Sequence, residues 1–143
     1  MTADQIIEHL RLQPHPEGGY YRQTWEDDNT TTSDDRPGGT CIYFLLKEGQ
    51  SSHWHKVDAT EIWFYHAGAP LVLSISEADD GPAIDHILGR DVLDGQNGQF
   101  TVPKDAWQAA RTTGDYTLVS CTVTPGFTFD GFTLAAPDFD IPR

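Results

Sequence analysis

Beyond residue 19 the chain falls into short runs with the apolar/polar alternation of half-buried strands, and turn chemistry closes each run. The separators are Glu48-Gly49, Gly68, Asp80-Gly81, Asp94-Gly95, Asn97-Gly98 and Thr113-Gly114. Ten strands are predicted, over residues 20–26, 40–47, 51–55, 60–67, 70–76, 83–88, 100–103, 106–111, 115–124 and 127–134. Evenly spaced strands of this length either close into a barrel or stack as a sandwich, because open edges are otherwise left to pair with other chains. Ahead of them, Thr2 followed by Gln5 has the form of a capping box, and Ile6, Ile7 and Leu10 fall at helical spacing. The expectation is an all-β fold with one short N-terminal helix over residues 3–12, closed by Pro14 and Pro16.

A chain of 143 residues buries roughly 70% of the surface it exposes when unfolded, enough for one core. No repeat or second domain is visible, so residues 1–143 are expected to form a single domain. The polar segment 27–39 has no apolar residue to anchor it and is expected to be a mobile surface loop, with a lid role left open. Residues 135–143 read as a tail that either lies on the barrel or frays.

Nine Lys and Arg stand against 22 Asp and Glu, a formal charge of −13. Such a surface repels phosphate backbones and anionic headgroups, so neither nucleic acid nor a membrane is an expected partner. The acid is mostly Asp, which fits a salty environment or a plain solubility surface equally well. The opening residues MTADQIIEHL lack a basic start and a long apolar run, and a cytoplasmic location is expected. Cys41 and Cys121 sit in apolar strand contexts and are read as buried thiols in a reducing compartment.

Candidate chemistry concentrates at residues 49–61. His53 and His55 stand at i and i+2, which an unbroken strand places on one face, with Ser51 beside them. Glu61 opens the following strand and can return beside that face. Two imidazoles and a carboxylate are a ligand set for one divalent metal, Mn, Fe, Ni or Zn, although two ordinary strand histidines would read the same. If Glu61 points inward, so do Trp63 and Tyr65, while Ile62, Phe64 and His66 face away.

The order of these motifs resembles that of a known family. Gly49-x3-His53-x-His55-x5-Glu61-x6-Gly68 resembles the first cupin motif, and Gly98-x4-Pro103-x-Asp105-x2-Gln108 a degenerate second one. The runs Pro14-His15-Pro16-Glu17-Gly18-Gly19-Tyr20-Tyr21-Arg22, Ile42-Tyr43-Phe44-Leu45-Leu46, Trp107-Gln108-Ala109-Ala110 and Cys121-Thr122-Val123 followed by Pro125-Gly126-Phe127 are similar to the fifth cupin family, formerly a domain of unknown function. The resemblance implies a double-stranded β-helix, or jelly-roll barrel, usually a homodimer, with a small-molecule pocket in its lumen. Gln108 stands where cupins usually carry the last metal-binding His. Phe64 stands where many relatives carry His.

Within such a lumen His55, Glu61 and Tyr43 are the candidate catalytic residues, and Arg22, Tyr20, Trp63, Tyr65, Trp107 and Gln108 the candidate substrate contacts. The tentative metal set is His53, His55, Glu61 and Gln108. Arg22 could pair a carboxylate or phosphate, or simply a surface acid. His15 reads as an exposed turn residue, with a pocket-rim position as the alternative. Three functions stay open: an isomerase or epimerase acting on a carbohydrate or related carbonyl compound, a metal-dependent oxygenase-type cupin, and a non-catalytic metabolite-binding module.

Overall fold

The computed structural model describes residues 1–28 and 36–143. Helix α1 (Ala3–Leu10) begins as expected, with Thr2 and Gln5 each bonding the other's backbone N–H. It ends two residues earlier than the sequence suggests. Arg11 adopts a left-handed conformation (φ 57°) and its N–H closes on Glu8 and Ile7, so backbone reversal rather than a proline stops the helix.

Eleven strands follow among the described residues: β1 (Gln13–Pro14), β2 (Tyr20–Glu26), β3 (Thr40–Lys47), β4 (Ser51–Val57), β5 (Thr60–Gly68), β6 (Leu71–Ser76), β7 (Ile84–Leu88), β8 (Gln99–Val102), β9 (Trp107–Thr112), β10 (Tyr116–Thr124) and β11 (Phe132–Leu134). They form a six-stranded sheet in the order β1-β2-β3-β10-β5-β8 and a five-stranded sheet in the order β11-β4-β9-β6-β7. The strand pairings are antiparallel throughout, and the two sheets face one another as a double-stranded β-helix.

Alternation decides the layers. On β3, Phe44 and Leu46 point between the sheets with Trp63, Leu73 and Val119, whereas Leu45 points the other way and is buried by Ile6 and Leu12 of the α1 segment. The sheet therefore has two apolar faces, one for the core and one for the helix. On β5, Glu61, Trp63 and Tyr65 face inward and His66 lies outside, as the parity of the sequence predicts.

The tail lies on the barrel. Ile141 is fully buried with Trp54, Ala83 and Trp107 against the outer face of the five-stranded sheet. Backbone bonds Ala135 N–H to Trp54 and Ala83 N–H to Pro142 hold it there, at 2.9 and 2.8 Å. Ile141→Ala is accordingly expected to cost about 2–5 kcal/mol in urea unfolding, the range for deleting a fully buried aliphatic side chain.

Two expectations need correction. Residues 127–134 are not one strand, because Thr128 caps a 3-10 turn at Phe129–Gly131 and only Phe132–Leu134 pairs with β4. Phe127, Phe129 and Phe132 all converge on His15, a grouping that strict two-residue alternation would forbid. Cys121 is buried and unpaired, but Cys41 is only half-buried. The loop expected at 27–39, and any lid role for it, falls largely on residues outside those described.

Candidate functional site

The site depends on one irregularity in β4. Ser52 pairs with Ala110 and His55 with Gln108, so three steps along β4 match two along β9. This extra residue is a β-bulge, and it reverses strand parity between Ser52 and His55. Ser52 and His55 both turn inward, at 0% and 2% exposure, while His53 turns out and bonds the Ala136 carbonyl through Nε2. The expected same-face pairing of His53, His55 and Ser51 is thereby overturned. His53 serves through its backbone instead: its N–H donates to Glu17 O at 2.7 Å, and its carbonyl accepts from His55 Nδ1 at 2.8 Å. With Nδ1–H so committed, the lone pair of His55 is on Nε2.

His55 Nε2 stands 3.6 Å from Glu17 Oε2, and the Ser52 hydroxyl donates to the same oxygen. The other carboxyl oxygen, Oε1, lies 3.3 Å from His15 Nδ1, which also accepts the Glu17 N–H at 3.1 Å. Glu17 reaches this place because the next residue is glycine. Gly18 has φ +110°, and a Cβ there would lie 2.0 Å from the Ser51 carbonyl oxygen. Only a residue without a side chain lets the His15–Glu17 turn press against β4.

Across the lumen, Trp63 Nε1–H donates to Gln108 Oε1 and Gln108 Nε2 donates to Glu61 Oε1, both at 2.8 Å. An indole N–H can only donate, so Trp63 fixes which way the Gln108 amide points, and the amide in turn holds Glu61 Oε1 as an acceptor. The Cys121 thiol also hydrogen-bonds Glu61. Gln108→Leu would strand a buried indole N–H and a buried carboxyl oxygen. A loss of about 2–4 kcal/mol in unfolding free energy is expected, measurable by urea titration.

Burial controls the protons. It pushes the Glu17 carboxyl up to about 8, with the Ser52 hydrogen bond opposing. It raises Glu61 to about 7, opposed by His55 and reinforced by Glu17. Burial lowers His15 to about 4, aided by His55. It also lowers His55, against the pull of Glu61. At neutral pH both imidazoles are uncharged and Glu17 holds its proton, so the His15–Glu17 and His55–Glu17 contacts join neutral groups. The Cys121 thiol is raised well above its usual value, again chiefly by burial, and is no nucleophile there.

These groups line a cavity of about 340 Å³ between the sheets. Glu17, His55 and Glu61 form its polar side, and Tyr21, Val57, Phe127 and Phe129 its apolar side. Tyr21 packs edge-on against His15, ring centres 4.5 Å apart.

Of the candidates read from the sequence, His55, Glu61, Gln108 and Trp63 are brought together. The others are not. Tyr20 and Tyr43 pack on the outer face with α1, where Lys47 lies over the Tyr20 ring and His66 against Tyr43. Neither phenol reaches the lumen. Tyr65 does face the core, but its hydroxyl donates to Gly68 O at 2.6 Å. Trp107 alternates with Gln108 and so lies on the outside, bonded to Asp79 and stacked with Phe139. Arg22 stays exposed at the cavity's rim, its guanidinium donating to the Leu10 carbonyl at 3.3 Å.

The metal set is not assembled either. His53 has left the lumen, and Gln108 presents an amide N–H to Glu61 while its oxygen is taken by Trp63. Among the described residues no group of three or more His, Cys, Asp or Glu side chains is arranged to hold a metal ion. The residues therefore do not fit the metal expected from the sequence. Those missed by the sequence reading are Glu17, Ser52, Tyr21 and the aromatic wall, and His15 is buried rather than an exposed turn residue. The signal for Glu17 was its place between His15-Pro16 and Gly18-Gly19, an acid and an imidazole in a turn stiffened on one side and stripped of side chains on the other. Ser52 had no signal, since its inward position exists only through the bulge.

Two facing sheets around a polar cavity are the architecture of a cupin barrel. The chain belongs to the family described as Cupin superfamily (DUF985), whose pattern matches residues 4–135. A solved structure of a protein from Shewanella oneidensis is 37% identical, with TM-score 0.89, covering 95% of this chain and 85% of that one. A hypothetical protein from Leishmania major is 32% identical, with TM-score 0.86, covering 95% and 88%. Oxalate decarboxylase from Bacillus subtilis, 13% identical with TM-score 0.62 over 85% of this chain and 29% of that one, shares the fold alone. A search of curated proteins finds no match. No helix among the described residues is long and apolar enough to cross a membrane.

Proposed function

We propose that this protein is an acid–base isomerase or epimerase acting on a small hydroxy-carbonyl compound, of the carbohydrate type, held in the barrel lumen. One observation carries the reading: the buried His55 imidazole, its Nδ1 committed to the His53 carbonyl, stands with its Nε2 3.6 Å from the Glu17 carboxyl, and burial pushes that carboxyl up to about 8. Paired groups whose surroundings push one toward acid and the other toward base are what proton transfer at neutral pH requires.

In this reading His55 Nε2 removes the proton from the carbon beside the carbonyl. The C–H electron pair becomes the C=C of an enediol, and Glu17 gives its proton to the carbonyl oxygen. Return of a proton to the former carbonyl carbon, with loss of the hydroxyl proton on the carbon first deprotonated, yields the isomer. Return to the opposite face of the original carbon yields the epimer, and Glu61 stands across the cavity as the second carboxyl for that delivery. No oxidant or metal enters the balance.

The test is hydrogen exchange. The protein is incubated in D2O with D-glucose, D-fructose, L-rhamnose and dihydroxyacetone, and deuterium at the carbon next to the carbonyl is followed by NMR. Incorporation above the buffer rate, with appearance of the isomer or epimer, supports the reading. Binding without any exchange overturns it in favour of a binding module.

A further inference from the structure

We infer that the cavity selects an uncharged polyhydroxy or hydroxy-carbonyl compound and rejects the phosphorylated or carboxylated forms of the same skeleton. This rests on the acid–base reading of the same cavity, but it follows from a different observation, the distribution of cations.

The chain has only nine Lys and Arg, and among the described residues lining the cavity Arg22 is the one cation. It does not aim inward. Arg22 pairs across the sheet with Tyr43, a residue of the α1 side, and its guanidinium is spent on the Leu10 carbonyl. Arg36, the next arginine along the chain, bonds Gly126 O and Asp58 Oδ1, each at 2.7 Å. Lys47 is paired with Asp4, and Lys56 lies over Trp107 on the outer face. Helix α1, whose N-terminus could otherwise favour an anion, packs on the outside of the six-stranded sheet.

What the cavity does offer suits hydroxyls. Two carboxyls and two imidazoles line it, and a hydroxyl can donate to or accept from each kind of group whichever carries the proton. An anion would instead give up its hydration in a buried site, beside two carboxyls that cannot pair with it and with no guanidinium or ammonium turned inward. The chain's charge of −13 adds a repulsive field at longer range. The apolar lining of Tyr21, Phe127 and Phe129 supplies rings against which the C–H face of a sugar can pack. A volume of about 340 Å³ lies at the small end of ligand sites, which suits one monosaccharide rather than a nucleotide sugar.

The experiment is a matched titration at pH 7, followed through the aromatic NMR signals of the cavity. The probes are D-glucose against glucose 6-phosphate and glucuronate, and D-fructose against fructose 6-phosphate. Each neutral sugar that binds is expected to do so at least about tenfold more tightly than its charged partner, a ratio that corresponds to about 1.4 kcal/mol. Phe129→Ala, at the exposed end of the wall, is expected to weaken the neutral sugars about tenfold. A charged partner that binds as tightly, with that binding lost in Arg22→Gln, overturns the inference, and so does the absence of binding by every probe. Hydrogen exchange measured on the same samples separates the two ideas. A neutral sugar that binds without exchange leaves the selectivity standing and removes the catalysis, whereas a phosphorylated sugar that exchanges does the reverse.

Discussion

His55→Ala is expected to lower hydrogen exchange at the carbonyl-adjacent carbon by about 10²–10⁴-fold, the usual worth of a positioned base. His55 is 2% exposed, so truncation also opens a cavity, and the loss has to be separated from damage to packing. His55→Gln does this: the amide can still donate to the His53 carbonyl and fills most of the space, but it has no basic nitrogen. Both variants should be inactive, with the Gln form closer to wild type in urea unfolding. Free imidazole added to the Ala form should restore part of the rate by entering the vacated space. Wild-type exchange in the Gln form would show that His55 is not the base.

Stability of the wild-type protein is expected to fall by about 2 kcal/mol between pH 6.5 and 8, and Glu17→Gln should remove most of that fall. The sign follows from proton counts. Glu17 binds its proton up to about pH 8 when folded but only up to about 4.5 when unfolded, so the folded chain holds the extra proton and loses stability as pH rises. Glu61 acts in the same direction and is finished near pH 7. His15 opposes them lower down, because its folded value near 4 lies below the unfolded 6.5 and stability there rises with pH. The burial-lowered His55 adds to that opposition. At pH 6.5 the unfolded imidazoles are still half protonated and offset part of the fall; above about 7.5 they are neutral in both states and the carboxyls act alone, at about 1.4 kcal/mol per pH unit for each proton in play. Urea midpoints at pH 6.5, 7.25 and 8 measure the slope, and a flat profile in the wild type would mean that Glu17 ionises normally.

Much of the fold was legible because it rests on short-range chemistry. Turn dipeptides and two-residue alternation placed most strands, and the Thr2–Gln5 capping box placed the helix start. Parity along β5 assigned Glu61, Trp63 and Tyr65 to the inside, where no bulge falls between them. The same rule failed on β4. One extra residue between Ser52 and His55 reversed the faces and removed His53 from the lumen, and with it the expected metal set. Tyr20 and Tyr43 failed differently: their strands were correctly placed, but the face they occupy belongs to α1.

The sequence by itself determined a cupin barrel with one capped helix, an inward Glu61 and Gln108, and a strongly acidic chain. Those properties depend on near neighbours, on alternation and on composition. Only the tertiary structure decided that Glu17 is the acid beside His55, that Ser52 supports it, and that Trp63 sets the Gln108 amide against Glu61. These contacts join residues 35 to 47 positions apart. Each depends on strand register and on how closely two backbones can approach, as Gly18 does against Ser51. A pattern along one strand carries no information about the register of the next, so the proton chemistry of this lumen exists only in the folded pairing.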